Sequence, residues 1–217
     1  MSGGRFPLAL GVLQVLCLDL GTDVLPALAL GTEAPRADDI AESPRGRHLI
    51  HRGVVRRAFA VLGPTEALVE MAAFLTAMVV AGWQPGLPFP SGHALHAASG
   101  AAFMAVVVGQ AANAFACRSR HLGPRRLGWF TNRYLVSAVV VELAALCGFL
   151  FIGPVARVLG QSPLPIAAAL VALLAAPAVL AADALEKSWW RRQRPRLATR
   201  GDDAQTASRR GEQVAAR

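Results

Sequence analysis

The sequence predicts an all-α, polytopic membrane helix bundle of about five transmembrane helices. Three observations carry that prediction. The 217 residues are 54% hydrophobic and only 17% charged, with a mean hydropathy of +0.41, a balance that excludes an ordinary soluble domain. Five apolar segments reach spanning length, at about 6–31, 58–82, 95–116, 134–156 and 163–186. The apolar bulk is Ala, Leu and Val, with 6% aromatics, and no alternating ~10-residue pattern of barrel strands occurs.

The first segment, VLQVLCLDLGTDVLPALAL over 12–30, carries Asp19 and Asp23. Their i, i+4 spacing sets both acids on one face of a helix. Carboxylates inside a membrane are expensive, so they face a partner, a cavity or an ion. Pro26 cannot donate a backbone hydrogen bond, and it clashes with the Thr22 carbonyl one turn behind. That frees the carbonyl, and Gly21 softens the backbone further. Two carboxylates, a hydroxyl and a loose carbonyl form an all-oxygen set suited to a hard or alkali cation. The competing reading is a buried acid pair satisfied by neighbouring helices.

Residues 32–57 form a polar loop rich in Pro, Arg and acids. The second segment holds a further i, i+4 acid pair, Glu66 and Glu70, placed either functionally or near the interface. A Gly/Pro-rich connector, GWQPGLPFPSGH, leads to the third, where Gln110 and Asn113 share a face. After a short basic loop, 117–133, the fourth carries Glu142 alone. A second Gly/Pro connector precedes the fifth, which holds Asp183 and ends at Trp189 and Trp190, where an aromatic belt is expected. Residues 195–217 read as a basic, disordered tail, leaving 1–194 as the membrane domain.

Of the 22 basic residues, 20 fall in 32–58, 117–133 and 187–217, segments that five crossings place on one side. The positive-inside rule then sets the N-terminus outside and the C-terminus in the cytoplasm of a multi-pass cell-membrane protein. It also accounts for the net charge of +8 without nucleic acid. An odd number of crossings with the N-terminus outside suggests the back part of something larger. Cys17, Cys117 and Cys147 are widely spaced and imply neither disulfides nor metal.

Two patterns point elsewhere. Pro90-Ser91-Gly92-His93 matches the PSGH motif of type-2 phosphatidic acid phosphatases, and Lys187 to Arg194-Pro195 matches their KxxxxxxRP motif. Against a lipid phosphatase stand the reversed order, the missing third motif and a topology that separates the two by roughly 30 Å of hydrocarbon. The pairs His48/His51 and His93/His96 have metal-like i, i+3 spacing but no third ligand in a clear pattern.

LQVLCLDLGTDVLPALALGTEAP resembles the sixth transmembrane helix of P-type cation-transporting ATPases. GQAANAFACRSRHLGPRRLGWFTNRYL is similar to the end of their eighth helix and the loop that follows. FIGPVARVLGQSPLP and ADALEKSWWRR resemble the outer loop between helices nine and ten and the close of helix ten. The likeness runs from about Gly4 to Arg194, in order. It implies that Asp19, Thr22 and Asp23 are cation ligands, Asp19 and Asp23 binding the metal directly, with Gln110 and Asn113 contributing from helix eight. Gln110 stands where calcium pumps tend to have Glu, and DLGTD is closer to the sodium/potassium and proton/potassium types.

The family's DKTG, TGES and GDGxND segments do not occur in this sequence, so the resemblance implies a membrane part that is not an ATPase by itself. The chain is expected to bind no cofactor beyond a transported cation (calcium, sodium/potassium or other), while the parent pump would use ATP and Mg. Expected partners are membrane lipid and a separate N-terminal half of the pump; without that half, the remaining oxygens fall short of the roughly six to eight of a calcium site. The alternative is a truncated or regulatory bundle without transport activity.

Overall fold

The structure, a computed structural model, describes residues 6–33, 52–119, 122–190 and 192. His48, His51 and the 195–217 tail lie outside them. Helices are the only regular elements among the described residues: α1 (Val12–Gly31), α2 (Arg52–Val80), α3 (His93–Cys117), α4 (Pro124–Leu127), α5 (Arg133–Phe151), α6 (Gly153–Val158) and α7 (Ile166–Trp190). Five of them, α1, α2, α3, α5 and α7, are long and apolar enough to cross a membrane.

The helix limits follow local chemistry. Residues 6–11, expected within the first span, precede it; α1 begins after Gly11, whose N–H is accepted by the Gln14 side chain at 2.7 Å. Asn132 caps α5 by accepting the Leu135 N–H at 3.0 Å. Gly153 and Pro154 stop α5 at Phe151 and open the separate α6, where one continuous segment to 156 was expected.

Each proline inside a span is preceded by an irregularity. Asp19–Asp23 of α1 is a π-helical stretch ahead of Pro26, and Ala58–Leu62 of α2 is another ahead of Pro64. A turn at Leu174 precedes Pro177 in α7. Proline withdraws one donor from the i→i−4 ladder, and widening the turn before it redistributes the unpaired carbonyls. In α2 the Gly63 N–H bonds back to the Ala58 carbonyl. A Cβ on Gly63 would sit 2.9 Å from that oxygen, so the wide turn needs glycine there.

Helix α3 is the axis of the bundle and its most buried span. Its Ala/Gly-rich surface lets neighbouring backbones approach closely. Ala98, Ala101, Ala102 and Ala105 pack against Ala73, Phe74 and Ala77 of α2 and Ala168 and Ala172 of α7. Phe103 and Val107 meet Leu18 of α1 and Leu146 and Leu150 of α5. Ala111 and Ala114 meet Ala29 of α1 and Leu135, Ala138 and Val139 of α5.

Two ionic clasps close one end of the bundle. In the first, Arg118 donates from Nε and Nη2 to the two Glu33 oxygens at 3.1 and 2.8 Å, while Asn132 donates to Glu33 at 2.7 Å and to the Ala29 carbonyl at 3.1 Å. In the second, Lys187 Nζ donates to Asp183 Oδ2 at 2.8 Å and to the carbonyls of Ala116 at 2.8 Å and Leu122 at 3.1 Å. Arg57 pairs with the other Asp183 oxygen and donates to the same Ala116 carbonyl. Lys187 is 2% exposed and Asp183 fully buried. The opposite end is joined by neutral bonds: Gln14 Nε2 donates to the Leu159 carbonyl at 3.0 Å, and Ser99 donates to Gln14 Oε1 at 2.8 Å.

Candidate functional site

The π-helical stretch of α1 is Asp19-Leu20-Gly21-Thr22-Asp23, the acid-bearing segment that sequence singles out. Thr22 points into the bundle and is fully buried. Its Oγ1 donates to the Leu18 carbonyl at 2.6 Å and lies 3.4 Å from Gln110 Oε1 on α3. With one proton to give, the hydroxyl spends it on Leu18, leaving the longer Gln110 contact as the alternative. Asp19 and Asp23 point the other way. Both are exposed on the surface of the chain, and neither makes a hydrogen bond or ion pair among the described residues. The reading of them as an acid pair satisfied by neighbouring helices of this chain is therefore set aside. Asn113 is half-buried, and its Oδ1 accepts from Cys117 Sγ at 3.4 Å.

Thr22 and Gln110 are thus brought together, while Asp19 and Asp23 flank them on an open face. Among the described residues no three His, Cys, Asp or Glu side chains are gathered to hold a metal ion.

Two acids whose role the sequence left open belong to the same level. Leu135, Ala138, Val139, Glu142, Leu146 and Leu150 form the buried face of α5. Residues before Glu142 on that face meet Ala29 and Ala111, and residues after it meet Leu18 and Val107. Helical progression therefore puts Glu142 level with Thr22 and Gln110. It is 1% exposed, and neither carboxylate oxygen has a partner among the described residues. On α2, the stem of Glu66 packs over Gly109, where a Cβ would stand 3.4 Å from Glu66 Cγ, and Oε1 is buried without a partner. Asp183, by contrast, is consumed in the clasp with Arg57 and Lys187. Val140, Val141 and Leu143 on the exposed side are as apolar as the buried face, so the sequence around Glu142 carries no signal of its depth.

The lipid-phosphatase reading fails on distance. Lys187 touches the Ala116 carbonyl near the last turn of α3, whereas His93 opens that helix. At 1.5 Å per residue they are ~35 Å apart and cannot hold one phosphate. His93 Nδ1 lies 3.3 Å from Ser162 Oγ, and His96 beside Gly160; neither joins a group of ligands.

Unpartnered oxygens at a backbone discontinuity, in the middle of a multi-pass helical bundle, define an integral membrane protein with a polar centre. The family model described as "Cation transporting ATPase, C-terminus" matches residues 7–189, and the chain belongs to that family. It is the C-terminal transmembrane part of a P-type cation-transporting ATPase, a multi-pass membrane segment. The chain is similar to the sodium/potassium-transporting ATPase subunit alpha-3 of Rattus norvegicus, 32% identical over 85 residues. It is likewise similar to the sodium/potassium-transporting ATPase subunit alpha-1 of Catostomus commersonii, 36% identical over 84 residues. These matches cover 38% and 37% of this chain and 8% of the length of each relative.

Proposed function

We propose that α1 and α3 carry part of the cation-binding site of a pump, with Asp19, Thr22 and Asp23 on one helix and Gln110 and Asn113 on the other. Asp19 and Asp23 offset the ion's charge, while the hydroxyl and amide oxygens replace its hydration shell. Glu142 joins them as an inward carboxylate. The observation that carries this reading is the π-helical DLGTD stretch, which presents Thr22 to Gln110 at the level of a buried, partnerless Glu142.

The open face bearing Asp19 and Asp23 is completed by helices of a further, N-terminal part of the pump, which would also supply ATP- and Mg-dependent phosphorylation. Phosphorylation there would tilt α1 between inward-open and outward-open states. The cation is an alkali ion, a choice supported by the DLGTD wording and by the names of the two relatives. The N-terminus lies outside and the basic end faces the cytoplasm of the cell membrane, in keeping with the charge bias.

The test is equilibrium binding of ²²Na⁺, ⁸⁶Rb⁺ and ⁴⁵Ca²⁺ to the full chain in lipid nanodiscs, with and without the protein encoded upstream. Saturable binding that Asp23→Asn weakens by about tenfold or more agrees with the proposal, because ligand charge sets affinity over decades. Binding that Asp19→Asn and Asp23→Asn leave untouched refutes the ligand assignment, and a calcium preference refutes the choice of ion.

A further inference from the structure

Among the described residues, the corner where α2 meets α7, at the ionic end of the bundle, holds more basic than acidic side chains. The described basic groups at these ends of α2 and α7 are Arg52, Arg56, Arg57, Lys187 and Arg192, and the described acids that meet any of them are Asp183 and Glu186. Arg57 and Lys187 pair with Asp183, and Arg57 Nε also lies 3.7 Å from Glu186 Oε2. Arg56 donates to Glu186 at 3.2 Å and lies over both indoles, 5.1 Å from the Trp189 centroid and 4.8 Å from that of Trp190. Its Nε is buried with no partner among the described residues. Arg52, one turn away on the same face of α2, is exposed without a described partner. Arg192 is exposed three residues beyond Trp189.

Below this charge the surface turns apolar at once. Val55 and Phe59 follow on α2, and Leu185 precedes the tryptophans on α7; Phe59 is 81% and Leu185 70% exposed. The order along the bundle axis is guanidinium, indole pair, apolar wall. That is the order of phosphate, interfacial carbonyls and acyl chain in a membrane lipid. Trp189 and Trp190 stand at 5.3 Å and 80° to each other, amphipathic rings of the type found at headgroup depth. The stack on the indoles and the bond to Glu186 hold Arg56 in place, and a guanidinium so held donates to phosphate with little further ordering.

We propose that Arg52, Arg56 and the Trp189–Trp190 pair form a binding site for one anionic glycerophospholipid, its phosphate on the two arginines and an acyl chain along Phe59 and Leu185. A soluble phosphate would satisfy the arginines but leave the apolar wall unused. A diffuse anionic surface would use all the basic side chains of this end alike. The site therefore differs from both in which residues it depends on.

The test uses the full chain in vesicles that contain brominated phosphatidylglycerol or brominated phosphatidylcholine at equal mole fraction, with tryptophan quenching as the readout. Phosphatidylglycerol should quench more, and the excess should vanish in Trp189→Phe/Trp190→Phe, which leaves Trp83 and Trp129 in place. Arg52→Gln, which removes no contact among the described residues, should lower the relative affinity for phosphatidylglycerol about fivefold, the effect of one basic side chain at an anionic surface. Arg56→Gln should do at least as much. Arg125→Gln/Arg126→Gln, which removes two exposed charges of α4, should leave the excess within about twofold. Equal quenching by the two lipids overturns the proposal, as does an equal loss in the α4 variant, which would mean a diffuse field. Displacement of the excess by millimolar inorganic phosphate reassigns the arginines to a soluble anion and overturns the lipid.

Discussion

Removing the ammonium from the second clasp, by Lys187→Met, should be among the most damaging single changes in the chain. Lys187 Nζ makes three hydrogen bonds of 2.8, 2.8 and 3.1 Å from a site 2% exposed. Two of the acceptors are carbonyls at and just beyond the end of α3, and the third is the fully buried Asp183. Breaking one partner of a buried pair costs about 3–5 kcal/mol, because the other charge is left desolvated. Arg57 still faces Asp183 in the variant, so the loss should fall near the lower end, about 3 kcal/mol. Asp183→Asn withdraws the carboxylate that Lys187 and Arg57 share, with Arg57 keeping, among the described acids, only Glu186 at 3.7 Å, and should cost more, about 5 kcal/mol. The double variant should then be less destabilised than the two losses added, with a coupling of about 1–3 kcal/mol. Reversible unfolding of the purified chain by sodium dodecyl sulfate in mixed micelles reads all three. A Lys187→Met loss below ~1 kcal/mol, or a larger loss for Lys187→Met than for Asp183→Asn, would refute the reasoning.

Arg118→Ala removes both bonds to Glu33 and the 2.7 Å bond to the Gly128 carbonyl; the same unfolding assay should show a loss of about 3 kcal/mol. Gly63→Ala sets a Cβ 2.9 Å from a backbone oxygen that no rotamer change can move, and should destabilise by about 2–3 kcal/mol. Gly100→Ala meets Gln161 Oε1 at 2.5 Å, but a side-chain end can swing aside, so its loss should be the smaller of the two, about 1 kcal/mol. Calorimetry of both glycine variants in one detergent checks their order.

The five spans were legible because their signal is local: length and hydropathy in a window are enough. So was the soft point in α1, where Gly21 and Pro26 announced a loosened backbone and the structure has its π-helical stretch directly ahead of the proline. Depth was not legible. Glu142 looked like any acid in an apolar run, since nothing in its neighbourhood tells a half-lipid-facing helix from one packed on two sides. The partners of Glu33 and Lys187 were hidden for another reason: Arg118 lies 85 residues from Glu33, and Ala116 71 residues from Lys187. Such pairings are set by how helices stack, which no window of sequence contains. Lys187 shows the opposite hazard, because it completed a familiar phosphate motif by spacing while its ammonium is committed to carbonyls and Asp183.

Helix α1 is fastened by short hydrogen bonds at both extremities, while between them Leu18 and Ala29 are held by packing and Thr22 by its long contact to Gln110. Gln14 ties its beginning to Ser99 and the Leu159 carbonyl, and Glu33 ties its far end to Arg118 and Asn132. A rod held so can tilt together with its neighbours but resists sliding along its own axis. Any torque from neighbours must be absorbed where the winding is already irregular, at Asp19–Asp23. Passing between five-residue and four-residue winding there turns the intervening side chains about the axis while the anchors stay still. Rotation would thus be delivered to the stretch that bears Asp19, Thr22 and Asp23, as in a shaft with a single universal joint.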